Sequence, residues 1–410
     1  MPPVTDSVVL FDDGRGLLAP LTGLRAAFDV RCGALTVAER ISSEIEVTIA
    51  GLIVSDALAA VTAERHPGVA VNPRAISADQ VLAINGRWAA CDWSEAANLD
   101  LGEAAVEAST GEIIAARVHR LEVSAVVEHD AARFRRVEWN TSRHRLLRRP
   151  WDVIVVRDEV LAQDLCRFDW ADAAMAPPGV VVIGTRVAGR PLVIHADAKV
   201  MPSVVLDHTH GPIVIDDHAI IRPGAVLIGP CYVGPHSTVL DRALIRGNTS
   251  IGPHCKVAGE VSGTIFQGYS NKGHDGFLGD SWVGEWVNLG AGTTNSNLLN
   301  TYGEVVCRAT PTGPNERTGR QFLGAIIGDH VKTAICTRIM TGSVIHAGAM
   351  WAATAAISGC IEPCAWVTDA GARKFRFEKF EETARAMMSR RSAAPSDAMI
   401  ARLRAVHAGA

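Results

Sequence analysis

Apolar residues recur at every sixth position through much of the second half of the chain. Eight consecutive positions follow this step without a miss: Ile215, Ile221, Leu227, Val233, Val239, Ile245, Ile251 and Val257. The residue four positions after each is nearly always small: Ala219, Ala225, Cys231, Ser237, Ala243, Thr249, Cys255 and Val261. A period of six fits neither one face of a helix nor the simple alternation of a strand. It fits a short flat strand followed by a tight corner, and it predicts a parallel β-helix whose branched residues point into the prism.

The same step continues on both sides of this run in shifted frames. It is carried by Ile194, Val200 and Leu206 before the run, by Phe277, Val283 and Leu289 after it, and later by Ile327, Thr333, Ile339, Ile345 and Trp351. Two stretches between these runs interrupt the step, at residues 259–276 and 295–326. Because uninterrupted coils of a solenoid are mainly structural, we expect chemistry in the interruptions.

Three histidines share one place in the repeat. His218, His236 and His254 lie eighteen residues apart, so at three hexads per coil they would stack along one corner at roughly 4.8 Å. Stacked imidazoles could bind a metal, but we interpret them as corner side chains that face water. No metal site is therefore predicted.

The first half has a different pattern, in which short apolar runs at residues 8–11 and 49–54 alternate with helix-like stretches such as 34–47. This alternation predicts an α/β layer with a parallel sheet. A turn with Gly14, Arg15 and Gly16 follows the first run. Such a turn either cradles phosphate with its N–H groups or is a plain tight turn. Arg25 and Arg31 are nearby cations that could bind a triphosphate or a sugar phosphate.

Composition narrows the class of protein. The chain has 410 residues, 48% hydrophobic and 20% charged residues and a net charge of −4, as in a globular protein of two or three domains. No apolar run reaches the roughly 20 residues of a membrane span, and no signal-like segment opens the chain. Nine cysteines without a CxxC motif suggest neither disulfides nor a structural zinc. We expect a cytoplasmic protein without a membrane partner.

A run of arginines lies at residues 132–150, ARFRRVEWNTSRHRLLRRP. Basic runs with aromatic residues can bind nucleic acid or nucleotide phosphates. Because the chain as a whole is acidic, we interpret this run as a solvated helix and linker and expect no nucleic-acid partner.

A candidate catalytic group lies at the end of the first interruption. His274 lies outside the hexad register in the stretch YSNKGHDGFLGD and precedes NLGAGTTNSN. A histidine can serve as a general base near neutral pH. N–H donors from the backbone or from an asparagine could bind the oxyanion that forms when an amine attacks a thioester.

Two stretches resemble known families. Gly14, Gly16 and Pro20-Leu21-Thr22 resemble the opening loop of sugar-1-phosphate nucleotidyltransferases, GxGTRLxPLT, and Asn85 lies where that family has a magnesium-binding Asp. GH-DGF-LGD, NLGAGT and Asn297 resemble the acetyltransferase half of the bifunctional N-acetylglucosamine-1-phosphate uridyltransferase and glucosamine-1-phosphate acetyltransferase. The segment order, with LFDD and PLT early and QGYSNKGHDGFLG later, resembles a divergent branch of sugar nucleotidyltransferases.

The resemblance implies roles for individual residues. His274 is the general base, Asn288 and Asn297 bind the amino sugar or polarise the acetyl carbonyl, and Ala291 with Gly292 and Thr293 abuts the pantetheine arm. The resemblance also assigns Tyr269 to substrate binding. The family has a lysine that contacts the substrate phosphate where this chain has Ser262, and Lys272 would supply the missing charge. The C-terminal helix, with Arg373, would meet the phosphates of coenzyme A. Gly14, Arg15, Gly16, Arg25, Arg31 and Asn85 would bind the nucleotide.

Together these observations predict four segments. They are a degenerate nucleotidyltransferase-like α/β domain at 1–150, a connector at 151–190, a left-handed β-helix at 191–368 and a helical cap at 369–410. We expect a homotrimer that transfers acetyl from acetyl-CoA to an amino sugar 1-phosphate. The resemblance of the first domain also implies nucleotidyl transfer from UTP or another NTP with Mg²⁺. The alternatives are an enzyme with one inactive domain and a non-catalytic scaffold that binds nucleotide sugars.

Overall fold

The first part of the chain is built around one mixed sheet. The computed structural model describes residues 6–44, 47–169, 175–184 and 191–409. The strands are β1 (Asp6–Phe11), β2 (Val47–Ile53), β3 (Gln80–Asn85), β4 (Glu103–Glu107), β5 (Ile113–His119) and β6 (Arg135–Trp139). Their order is β2-β1-β3-β5-β4-β6. The strands predicted at 8–11 and 49–54 are confirmed. The predicted parallel pairing is confirmed for β2, β1 and β3 and also joins β4 to β6, but β5 runs antiparallel to both β3 and β4, because the short turn between β4 and β5 permits no crossover.

Short helices surround this sheet. They are α1 (Val37–Ser42), α2 (Asp56–Arg65), α3 (Trp93–Ala97), α4 (Val123–Val127) and α5 (Asp152–Leu165), with 3-10 turns at Ala27–Asp29, Arg120–Glu122, Ala131–Arg133 and Ser142–His144. The helix predicted at 34–47 is shorter, because Thr36 forms a capping box with Glu39 and the chain is extended again from Val47. The predicted connector contains the buried helix α5, and its residues 170–174 and 185–190 lie outside the described residues.

The arginine run at 132–150 is a strand and a turn rather than a helix. It contains β6 and the 3-10 turn Ser142–His144. Several of its guanidiniums pair with acids of the same domain. Arg143 pairs with Asp92 at 2.9 Å, and Arg148 pairs with Glu112 at 2.9 Å. These ion pairs fit the interpretation of the run as a solvated surface segment.

The second half is a triangular prism of three parallel sheets. The first face contains Val181–Ile183, Val205–Asp207, Val226–Ile228, Leu244–Ile245, Glu260–Ser262 and Phe277–Gly279, followed by Thr294–Asn295 and Arg338–Ile339. The second contains Leu192–Ile194, Ile213–Ile215, Cys231–Val233, Thr249–Ile251, Ile265–Gly268, Trp282–Glu285, Ala325–Ile327, Ser343–Ile345 and Cys360–Ile361. The third contains Lys199–Val200, Ile220–Ile221, Thr238–Val239, Lys256–Val257, Asn271–Lys272, Lys332–Thr333, Met350–Ala352, Ala365–Thr368 and Gly371–Lys374.

Successive coils stack one strand above the next. Ile213 pairs with Cys231, and Cys231 pairs with Thr249, so each regular coil takes eighteen residues, or three hexads. The branched residues of the repeat form one buried aliphatic core inside the prism. The predicted parallel β-helix is therefore present, built because each short strand can bury its inward side chains only against the coils above and below.

The two predicted interruptions differ in kind. Residues 259–276 contain three prism strands and are not an insertion. The corner between Val257 and Glu260 is two residues shorter than that between Val239 and Leu244, so the register shifts. Leu278, paired with Val261, is the inward residue in place of Phe277, because the step from Leu278 to the inward Val283 is five residues rather than six. Residues 296–324 leave the prism, and this insertion carries the antiparallel pair Val306–Cys307 and Glu316–Arg317.

The first domain packs on the outer side of the second face. Val214 and Tyr232 lie in one buried cluster with Leu161 of α5, while Trp282 lies in another with Val153. The strands of this face are therefore buried on both sides, which explains their nearly continuous apolar sequences.

The chain ends in a hairpin and two helices. Gly371–Lys374 pairs antiparallel with Ala365–Thr368 and so covers the last strand of the third face. Helices α6 (Phe377–Ser389) and α7 (Asp397–Ala408) follow, so the predicted helical cap at 369–410 begins with a strand and becomes helical only at Phe377. Phe380 packs in a buried cluster with Phe375 and Cys364. Among the described helices, none has the length and apolar character needed to cross a lipid bilayer.

Candidate functional site

His274 lies at a corner between the third and first faces. The corner comprises residues 273–276, and the imidazole is exposed. Asn271 bridges to Asn288 in the next coil, which places His274 in register with Ala291. A Cβ at Gly276 would lie 2.2 Å from the Thr293 carbonyl oxygen, so only glycine allows the two corners to stack this closely. No hydrogen bond to the His274 imidazole is made by any residue that the structure describes.

Lys272 points into the prism rather than toward a substrate. It pairs with Val257 in the inward column of the third face, and its side chain is only 2% exposed. The short corner of the coil below leaves room for the long side chain, whose Nζ donates to the carbonyl oxygens of Ala258 and His274, both at 3.0 Å. Burial lowers the pKa of Lys272 to about 8. Lys272 therefore holds the backbone of the His274 corner, and its burial argues against direct contact with a substrate phosphate.

Tyr269 and Asn288 line one cavity. Its other walls are Lys256, Asn271, Trp286, Met387, Arg390 and Arg391, and its volume is about 90 Å³. Asn271 Nδ2 donates to Asn288 Oδ1 at 2.8 Å, which leaves the Asn288 amide N–H groups available as donors. The structure thus brings together two of the three residues predicted to bind substrate.

Asn297 has a structural partner. Its Nδ2 donates to Asp280 Oδ2 at 2.7 Å, and Asp280 Oδ1 accepts from Arg157 of α5 at 2.8 Å. This chain of bonds ties the prism to the first domain. The amide N–H used by Asp280 is not available to an oxyanion in this arrangement.

The residues predicted to bind the cofactor lie in two places. Ala291 and Gly292 lie half-buried at the corner beside His274, whereas the Thr293 hydroxyl is buried against that of Thr333 at 2.9 Å. Arg373 lies over the ring of Trp366 at 5.5 Å. Arg373 also lines a cavity of about 430 Å³ with Lys374, Arg376 and Lys379.

The predicted histidine stack is confirmed and extended. The ring centroids of His218 and His236 are 5.0 Å apart and those of His236 and His254 are 4.8 Å apart. The column continues through Tyr269 at 4.6 Å, Trp286 at 4.5 Å and His330 at 6.5 Å. All six residues have positive φ, so they occupy the same corner position in successive coils. Burial and the neighbouring His236 lower the pKa of His254.

One group of possible metal ligands lies beside the start of this stack. His195, Asp197 and Asp217 place ligand atoms within 4.8 Å of one another. Asp217 also bonds the His218 ring. Exposed acidic groups of this kind are common without a metal, so the cluster does not alter the interpretation of the stack.

The predicted phosphate loop follows β1. Gly14 and Gly16 both have positive φ, and the Asp12 and Asp13 side chains accept the Gly14 and Arg15 backbone N–H groups. The Arg15 guanidinium is 44% exposed and reaches Glu112 at 3.3 Å. The loop therefore has the open conformation that the glycines predict.

The carboxylates beside this loop are already occupied. Asp13 accepts from Arg87 at 2.6 Å, from His129 at 2.7 Å and from Asn85 at 3.0 Å. These contacts outweigh burial and hold the pKa of Asp13 far below its usual range. Both Asp12 oxygens accept backbone N–H groups. The described residues of this loop do not fit Mg²⁺, because Asn85 and both carboxylates are committed to other partners.

Arg25 and Arg31 lie at the domain interface. Arg25 is fully buried and bonds Asp329 at 2.6 Å. Arg31 is buried too, and it bonds Glu39 at 2.9 Å and the Gln267 carbonyl oxygen at 3.3 Å. Their burial argues against a role in nucleotide binding.

Several residues of the cavity near Asn288 were missed by sequence reasoning. Lys256 and Asn271 precede Asn288 in the outward column of the third face. The hexad register could have identified Asn271, but only after the shortened corner was recognised. Arg390 and Arg391 are more than a hundred residues away in sequence, and no local signal places them here.

Comparisons with known proteins agree with this architecture. A family model described as sugar nucleotidyl transferase matches residues 8–169. The bifunctional sugar-1-phosphate nucleotidylyltransferase/acetyltransferase of Sulfurisphaera tokodaii is 38% identical over 88 residues. That match covers 22% of this chain and 21% of the relative, so the chain spans about a fifth of the length of this curated relative.

Solved structures with similar repeats have low similarity scores. A hexapeptide transferase family protein from Anaplasma phagocytophilum has 14% identity and a TM-score of 0.22 and covers 56% of this chain and 93% of its own. UDP-N-acetylglucosamine acyltransferase from Campylobacter jejuni has 14% identity and a TM-score of 0.21, and the match covers 56% of this chain and 94% of that protein. Scores this low support no conclusion about this chain. Residues 8–169 are similar to the sugar nucleotidyl transferase family.

Proposed function

We propose that this chain is a transferase of nucleotide-sugar synthesis whose β-helix transfers an acetyl group from acetyl-CoA to the amino group of an amino sugar 1-phosphate. The observation that carries this proposal is the exposed His274 imidazole at a corner stacked on Ala291, with Asn288 on the adjoining face. The match to a bifunctional nucleotidylyltransferase/acetyltransferase supports it.

The chemistry requires one base and one set of N–H donors. The amine nitrogen attacks the thioester carbonyl carbon and forms the C–N bond, while His274 takes the proton that the nitrogen loses. N–H groups near the corner would stabilise the tetrahedral oxyanion. The C–S bond then breaks, and the leaving thiolate receives the proton from the His274 imidazolium.

The remaining expectations follow from the same resemblance. Acetyl-CoA would place its pantetheine arm beside Ala291 and its phosphates near Arg373, where three further basic residues line the same cavity. The coil would be left-handed, and the protein would be a cytoplasmic homotrimer. A neighbouring subunit would then supply the group that orients His274, because the described residues of one chain supply none.

Replacement of His274 by Ala tests this function. We expect the release of coenzyme A thiol, measured with acetyl-CoA and a panel of amino sugar 1-phosphates, to fall by a factor of roughly 10²–10⁴. His236→Ala is the matched control, since it removes another exposed corner histidine, and it should keep full activity. A wild-type protein that is folded and releases no thiol across the panel would contradict the proposal and favour a scaffold.

Nucleotidyl transfer by the first domain is the second candidate. It is favoured by the family match and by a cavity of about 600 Å³ lined by Arg74, Arg120 and Glu128. This cavity adjoins the predicted phosphate loop, because the Glu128 backbone carbonyl oxygen accepts a hydrogen bond from Arg15. Pyrophosphate release from UTP, with and without Mg²⁺, measures this activity. We expect Arg15→Ala to abolish it without affecting thiol release.

A further inference from the structure

We propose that the cavity between the third face and the end of helix α6 binds the phosphate group of a ligand. Lys256 lies on the face, while Arg390 and Arg391 lie at the end of α6, and all three line this cavity. This inference rests on the proposed function for the identity of the complete ligand, but not for the binding of phosphate itself.

The three cations have no acidic partners. No acidic residue lines the cavity, and none of the three forms an ion pair with any described residue. Arg143 and Arg148, by contrast, are each paired with an acid. Cations that converge without counter-charges repel one another, so their arrangement favours an anion between them.

The position of Arg391 is held by the fold. Its Nη1 donates to the His254 carbonyl oxygen at 2.5 Å, and partial burial lowers its pKa. Cations at a helix C-terminus interact favourably with the helix dipole, which alone could explain Arg390 and Arg391. It cannot explain Lys256, which belongs to the prism and faces the same space.

The remaining walls suit a polar ring attached to the phosphate. Tyr269 and Trp286 present stacked rings 4.5 Å apart, and Asn271 and Asn288 present amide groups joined by one hydrogen bond. The volume of about 90 Å³ equals roughly that of three liquid waters. It therefore holds one compact group, and the rest of a larger ligand would extend outward along the third face.

The cations of this cavity would also supply the positive charge that the sequence analysis had assigned to Lys272. Lys272 is committed to two backbone carbonyl oxygens inside the prism. Asn271 is three residues from His274, at most about 11 Å along an extended chain. The cavity and the corner with the proposed base are thus joined by one short stretch of chain.

Calorimetric titration of the full chain tests the proposal without requiring turnover. The probes are inorganic pyrophosphate, glucosamine 1-phosphate and adenosine 3′,5′-bisphosphate, which separate an acceptor phosphate from the phosphates of coenzyme A. We expect Lys256→Glu and Arg390→Gln each to raise the dissociation constant of the bound probe at least tenfold. Arg385→Gln, on the same helix but paired with Glu381 at 2.8 Å, is the matched control and should bind like the wild type.

The outcomes separate this proposal from the proposed function. Binding of no probe by the wild type, or equal binding by Lys256→Glu and the wild type, would overturn the phosphate site. Phosphate binding that depends on Lys256 in a protein that releases no thiol would support the site and refute acyl transfer. Because Lys256 is exposed on the face, its replacement tests the site even if changes at Arg391 disturb the docking of α6.

Discussion

At the scale of single residues, the molecule separates groups that look alike in sequence. Lys256 and Lys272 both lie in third-face strands, but one faces outward and the other replaces an inward valine. The difference is one position in the alternation of a strand. Lys256 therefore lines an open cavity, whereas Lys272 is enclosed and its ammonium donates to two backbone carbonyl oxygens.

Lys272→Met should change how stability depends on pH. Burial lowers the pKa of Lys272 to about 8, and an unfolded lysine titrates near pH 10.4. Between these values the unfolded chain holds more protons, so the wild-type free energy of unfolding rises with pH. The variant lacks this rise. We therefore expect the difference in the free energy of unfolding between variant and wild type to change by about 3 kcal/mol across this pH range.

Urea unfolding at pH 7.5, 9 and 10 measures this difference. Lys256→Met removes an exposed lysine one coil away and serves as the control. Its free energy of unfolding should change with pH in parallel with that of the wild type. Parallel curves for Lys272→Met as well would show that the Lys272 ammonium is solvated in the native protein.

At the scale of elements, helix α6 runs from the last coils of the third face to its middle coils. Lys379 lies in the Arg373 cavity at one end, and Met387 lies in the phosphate cavity at the other. Phe380 anchors the helix in a buried cluster, with its ring 5.8 Å from that of His330 and 6.0 Å from that of Phe375. The helix therefore both covers the prism and completes two basic cavities.

Phe380→Ala should loosen α6 from the prism. Removal of a buried phenylalanine costs about 3–5 kcal/mol, and here the loss falls on the docking of one helix. We expect faster amide exchange in α6 and at least a tenfold weaker binding of the phosphate probe. Arg385→Ala, an exposed change on the same helix, should alter neither, and unchanged exchange in Phe380→Ala would contradict the anchoring role.

At the scale of the whole molecule, a buried ionic cluster joins the first domain to the prism. Arg25 bonds Asp329 at 2.6 Å, and Arg65 bonds Glu285 at 2.6 Å. Burial raises the pKa of Glu285, but Arg65 and Arg25 outweigh it and hold that pKa far below its usual range. Burial also raises the pKa of Asp329, against the effect of Arg25.

Asp329→Ala should destabilise the junction between the two domains. It leaves the Arg25 guanidinium buried with only Glu285 at 3.2 Å as an acidic partner, and removal of one member of a buried ion pair costs about 3–5 kcal/mol. Urea unfolding measures the loss. Asp241→Ala breaks an exposed pair with Arg222 and should cost far less, because solvent screens exposed ion pairs, so equal losses would refute a structural role for the cluster.

The sequence by itself determined the prism, the first two strands of the N-terminal sheet and the spacing of the corner histidines. These features are local: a strand, a corner and the next strand repeat within six residues, and stacking then requires the same residue types one coil later. His274 is set apart in the same way, because its glycine-rich corner interrupts the repeat.

Only the tertiary structure decided what Lys272, Arg25 and the α6 arginines contact. The coil from Val257 to Lys272 is three residues shorter than a regular coil, which turned Lys272 inward, and the docking of the first domain buried Arg25 against Asp329. The phosphate cavity joins Lys256 to Arg390 across more than a hundred residues. Such contacts depend on how whole elements pack, and no local periodicity encodes that packing.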